Sequence, residues 1–173
     1  MPSSHSAALP IAYVVLRILI VLNWLVGAGI FALLLASFNE PWIVAAFKIA
    51  PSPDAAQLLV GLRAIAVVGL LAIPLHYVVL KRLLAMVGSV RAGDPFVASN
   101  ASRLQAVAWA LLTLQLLSVV VWAIAEAIST PANPLRLDAG FSIPGWLAVL
   151  LVFVLARVFA LGAEMRDELE GTV

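Results

Sequence analysis

Four apolar runs of roughly membrane-spanning length, at about 9–38, 58–79, 104–128 and 146–161, leave this chain few ways to fold. Backbone polar groups inside hydrocarbon must be paired within the segment itself, so such runs become helices. The expected fold class is therefore all-α, an integral membrane bundle of four transmembrane helices forming a single domain. Composition excludes the alternative of a soluble core. The chain is 64% hydrophobic and 11% charged, against about 45–50% and about 25% for soluble domains. The lipid bilayer is its expected partner.

Several function classes fall away on counts alone. A net charge of +1 gives no electrostatic footprint for direct nucleic-acid binding. With no cysteine, disulfides, thiolate chemistry and Cys-ligated metals are excluded. The opening MPSSHSAALP lacks a basic n-region, and the apolar run after it exceeds the roughly 7–15 residues of a signal-peptide core. That first run is expected to be retained as a membrane helix.

The main polar break is KRLLAMVGSVRAGDPFVASNASR, Lys81 to Arg103, read as the core of a loop over 80–103. Gly93, Asp94 and Pro95 should stop any helix there, because glycine is a poor helix former and proline lacks the N–H of the ladder. The next span is capped either by Asn100 or by Asp94 with Pro95 at its first position. Pro74 should kink the second span. Trp42 to Ala50 is too short to cross and reads as an interfacial turn or short surface helix. Ser129 to Gly145, with Pro131, Pro134 and Pro144, reads as a loop without a helix. Ala28, Ala32 and Ala36, at four-residue spacing, either admit a neighbouring backbone or are plain filler.

Orientation follows the short-loop cations. With both termini inside, Lys81, Arg82, Arg91, Arg103 and Arg166 lie on the cytoplasmic side, and only Lys48 and Arg136 lie outside. Both termini are thus expected in the cytoplasm.

Catalysis needs a nucleophile beside a base, paired carboxylates or a ligand cluster, and none is visible. His5 and His76 stand apart, with no second ligand at metal spacing. The chain is expected to be no enzyme and to take no cofactor. Charges inside the spans are the more informative residues. Arg63 and Glu126 both fall in the outer part of the second and third spans, where they either pair, coupled by about 1 kcal/mol, or snorkel separately. Arg157 either snorkels to headgroups or reaches Asp94 and clamps the turn.

Two stretches together, VRAGDPFVASNASRLQAVAWALL from Val90 and LARVFALGAEMRDELEGTV from Leu155, resemble the YoaS-like family of bacterial membrane proteins, a domain of unknown function. Gly93, Asp94, Pro95, Phe96, Asn100, Arg103 and Leu104, then Arg157, Phe159, Gly162 and Glu170, carry the resemblance. It implies a four-span protein of the bacterial cytoplasmic membrane, whose relatives often lie beside a helix-turn-helix regulator gene. The expected role is a small regulatory or interaction protein, whose basic inner loop (Arg91 and Arg103 included) and acidic tail meet a cytoplasmic regulator. The alternative is a subunit of a transporter or channel. Four spans seldom enclose a path alone, so that reading requires a homo-oligomer.

Overall fold

The computed structural model describes residues 5–48, 55–93, 97–131, 133–135 and 137–170. Its helices are α1 (His5–Ala36), α2 (Glu40–Phe47), α3 (Ala55–Arg91), α4 (Ala98–Ile128) and α5 (Ile143–Glu170), with no strand among the described residues. α1, α3, α4 and α5 are long and apolar enough to cross a membrane. The protein is an all-α bundle and a multi-pass membrane protein.

The helices outrun the apolar runs. α3 has 37 residues, about 56 Å at about 1.5 Å per residue, against a hydrocarbon core of about 30 Å. Most of the stretch expected as a loop over 80–103 is in fact helix, since α3 continues to Arg91 and α4 resumes at Ala98. Lys, Arg, Leu and Met favour helix as readily as they mark a membrane edge, so charge ends the apolar run without ending the helix. The break comes at Gly93, whose φ of +87° lies in the left-handed region that costs glycine nothing. Asp94, Pro95 and Phe96 lie outside the described residues.

Between the first two spans, the stretch expected as an interfacial turn or short surface helix forms the helix α2, while Ile49 and Ala50 at its end lie outside the described residues. Asn39 caps it, its side-chain oxygen accepting from the Trp42 N–H at 3.4 Å, and Pro41 occupies the first turn. Lys48 ends it in the left-handed conformation. Of the loop expected over Ser129 to Gly145, the described residues up to 142 carry no helix, while Ile143, Pro144 and Gly145 already form the first turn of α5. Ser118, one of the few polar residues in the third span, accepts from the Gly140 N–H at 3.0 Å and so ties that segment down.

Two compact units make up the chain, the first from Met1–Asn23, Leu75–Thr113 and Ile143–Val173, the second from Trp24–Pro74 and Leu114–Ser142. In the first, α4 buries Asn100, Leu104, Val107 and Ala108 along one face, and α5 buries Val149, Ala156 and Ala163 at seven-residue spacing. Small residues let helices approach where lipid supplies no hydrophobic drive. Trp109 and Phe153 meet edge to face at 5.3 Å between centroids.

In the second unit, Ile43, Leu58, Leu59 and Ile128 form the buried cluster. Close approach there rests on Gly27 against Ile73 and Gly61 against Ile128. Ala28 and Ala32 are exposed, so the alanine spacing is not what brings α1 against its neighbour in this unit. Gly27, one residue along, does that.

Candidate functional site

Two sets of polar side chains stand out against the apolar background, one in each unit. The set in the second unit centres on Arg63, the ninth residue of α3 and about 12 Å from its start. Its Nη2 donates to the Ser37 carbonyl at 2.7 Å and its Nε to Ser37 Oγ at 3.3 Å. The guanidinium also lies over the Phe38 ring, 4.9 Å from the centroid. Ser37 is buried, and its hydroxyl donates to the Leu34 carbonyl at 2.6 Å. Arg63 thus caps the carbonyl end of α1, where a helix dipole attracts a cation.

The expected Arg63–Glu126 pair does not form. Glu126 is exposed, while Arg63 turns to the end of α1. The reason is local: a carbonyl left open by the last turn of α1 is held in place by backbone, whereas a surface carboxylate must surrender rotamer freedom to pair. Beside Arg63 lies a half-open cleft of about 280 Å³, walled by Ile30, Leu33 and Leu34 of α1, Ile43 of α2, and Leu59, Leu62, Ile65, Ala66 and Gly69 of α3. Ser37 and Arg63 are its polar lining residues.

The set in the first unit lies where α3 gives way to α4. Asn100 is 1% exposed and sits inside α4, in its first turn, not at the capping position expected of it. Its Nδ2 donates to Ser89 Oγ at 2.8 Å, and Ser89 Oγ donates to the Met86 carbonyl at 2.8 Å. Its Oδ1 accepts from Arg103 Nη1 at 2.8 Å, and the same Nη1 reaches the Ala85 carbonyl at 3.4 Å. Asn100 therefore serves as a buried bolt between two helices, since burial makes a pairable amide worth more across the interface than at a wet helix end.

Nearby cations are braced on aromatic rings. Tyr13 of α1 accepts a hydrogen bond from Arg17 Nη2 at 2.8 Å. Its ring also takes two guanidiniums, with Arg17 at 5.0 Å and Arg91 at 5.2 Å. Lys81 lies over Tyr77 at 5.5 Å. Arg82 is exposed, as is Arg157 on α5, whose expected partner Asp94 lies outside the described residues. No group of three His, Cys, Asp or Glu gathers at metal-binding distance among the described residues.

Sequence reasoning singled out Arg63, Asn100, Arg91 and Arg103, and missed Ser37, Ser89 and Tyr13 as their partners. Two signals were available. Tyr13 and Arg17 stand four apart on a helix, the spacing of facing side chains. Ser89 and Asn100 stand at equal distance from the Asp94–Pro95 break, as residues facing across a helical hairpin do. Ser37 has no such signal beyond being the one serine within the first apolar run.

Residues 39–173 match a family described as "Protein of unknown function (DUF2975)". The match takes in the stretches that carry the YoaS-like resemblance and extends upstream through α3 and α2. No curated protein and no solved structure matches the chain.

Proposed function

The chain belongs to the DUF2975 family of proteins of unknown function, and we propose that it works in the bacterial cytoplasmic membrane by binding, not by catalysis. It is a small regulatory or interaction protein, both termini in the cytoplasm, whose basic inner end receives an acidic cytoplasmic partner. The observation that carries this reading is the end of α3. Lys81, Arg82 and Arg91 are exposed on a helix far longer than a crossing needs. That helix is bolted to α4 through Ser89 and Asn100 and braced on Tyr13 of α1. Cations on a rigid stub lose less entropy on meeting a partner than cations on a free loop.

Orientation is tested by reporter fusions after Asp54 and after Arg91, which should report outside and inside respectively; the reverse pattern defeats the reading. The partner is tested by affinity purification in mild detergent with mass spectrometry. Wild type should bring down a cytoplasmic protein that the Lys81→Glu, Arg82→Glu, Arg91→Glu triple variant does not.

A second reading, a subunit of an oligomeric small-molecule transporter or channel, has one observation in its favour. Only 6% of the most apolar stretch of α1 is buried, which leaves a long face for lipid or a second copy. Purification of a self-oligomer with no cytoplasmic partner would favour this reading.

A further inference from the structure

The cleft of the second unit has the make-up of an amphiphile site. Its walls are aliphatic along both α1 and α3, from Ile30 to Leu34 and from Leu59 to Gly69, and its polar groups, Ser37 and Arg63, sit together where α1 stops. We propose that it holds one acyl chain of an anionic phospholipid, with the phosphate against Arg63.

Size, surroundings and charge select this occupant. About 280 Å³ falls just below the roughly 300–1,000 Å³ of pockets for compact drug-sized molecules. That volume is also too small for a helix about 10–12 Å across. Because α1 and α3 are long and apolar enough to cross a membrane, an aliphatic cleft open between them would meet hydrocarbon, where the solute present is a lipid chain. Ala66 and Gly69 keep the α3 wall low: a Cβ at Gly69 would already touch Ile30 at 3.7 Å, so larger side chains would fill the space.

The charge stands at the right level for a headgroup. Phe38, stacked under the guanidinium, is 66% exposed, and Trp42 of the adjoining α2 is 47% exposed. Tryptophan, whose ring is amphipathic, settles at the membrane–water interface. The Ser37 contacts hold the guanidinium at this place before any lipid arrives, and a guanidinium is the side chain best matched to a phosphate.

The full-length protein, purified in mild detergent and given phosphatidylglycerol or phosphatidylethanolamine, is read by native mass spectrometry. Wild type should retain one phosphatidylglycerol per chain, with a preference of about fivefold over phosphatidylethanolamine, the factor one arginine near an anionic headgroup is worth. Arg63→Gln should bring that preference close to one, and Arg63→Lys should keep most of it. Ala66→Phe, which blocks the cleft and leaves the charge, should lose the bound lipid of either kind.

A variant-free measurement guards against misfolding of Ala66→Phe. A phosphatidylglycerol carrying a photoactivatable group on its acyl chain should cross-link to peptides containing Ile30–Leu34 and Leu59–Gly69. Equal lipid retention by wild type and a folded Ala66→Phe, or cross-links spread evenly over all four long helices, would overturn the site. So would retention of free fatty acid in place of phospholipid, or a dimer that Ala66→Phe dissolves while no lipid is bound.

Discussion

The two compact units hold long helices together in lipid by different means. In the second, contact is steric: Gly61 is so close to Ile128 that an added Cβ would lie 2.5 Å from its Cγ2. Its polar link from Arg63 to Ser37 runs to a backbone end. In the first, contact includes a chain of side-chain hydrogen bonds from Arg103 through Asn100 to Ser89. Water inside a bilayer cannot replace a lost bond, yet the unfolded chain in lipid also finds partners, so such bonds bring modest gains. Steric fit is less forgiving, because packed interiors do not deform to admit a methyl group. Substitutions in the two units should therefore differ in size and in how they are rescued.

The largest effect is expected at Gly61. Gly61→Ala should cost about 2 kcal/mol, within the usual range for overpacking, since the obstructing atoms include Ile128 Cβ, fixed to the backbone, and Cγ2, which a helix holds in one preferred rotamer. Melting in detergent measures it. Restoring space with Ile128→Ala in the same chain should recover part of the loss, and a double variant no better than Gly61→Ala alone would break the steric account of this unit.

Asn100→Ala should come next, at about 1.5 kcal/mol, because it leaves the half-buried Ser89 and Arg103 groups seeking partners. Asn100→Asp separates the two halves of the network: it keeps an acceptor for Arg103 and loses the donor to Ser89. A loss smaller than that of Asn100→Ala would assign the greater share to Arg103. Equal melting for wild type and Asn100→Ala would mean the first unit, too, is held by packing alone.

A smaller effect is expected where the ends of α1 and α3 meet. Tyr13→Leu should cost about 1 kcal/mol, the scale of cation–π contacts at exposed sites, as Arg17 and Arg91 lose the ring they share. Tyr13→Phe keeps the ring and removes only the Arg17 hydrogen bond, so most of the stability should return. If Phe and Leu behave alike, the hydroxyl and not the ring is what matters.

How much of this was legible in the sequence differs by kind of residue. The four spans, the short α2 and the Gly93 break follow from apolar run length and from proline and glycine, whose effects are local. Helix ends are not legible from charge, which marks the membrane edge and not the helix end, as Lys81 to Arg91 demonstrate. Arg63 and Asn100 stood out as polar residues in apolar surroundings. Their partners did not, since a serine hydroxyl or a backbone carbonyl can be matched only once helix rotation is known. Depth alone offers Glu126 as a partner for Arg63, and depth does not fix azimuth around a helix.

That last point has its own test. Double-mutant cycles with Arg63→Gln and Glu126→Gln would give about 1 kcal/mol of coupling if depth were sufficient for pairing, as the sequence suggested. With Arg63 bound to Ser37 and Glu126 exposed, the two effects should instead add to within about 0.5 kcal/mol, as they do for sites that share no partner. Arg63→Gln alone should still destabilise, through the carbonyl it leaves at the end of α1. The companion cycle, Arg63→Gln with Ser37→Ala, should be non-additive, because Ser37 Oγ accepts from Nε. Coupling to Glu126 and none to Ser37 would reverse the assignment and move the anchor of Arg63 from the end of α1 to α4.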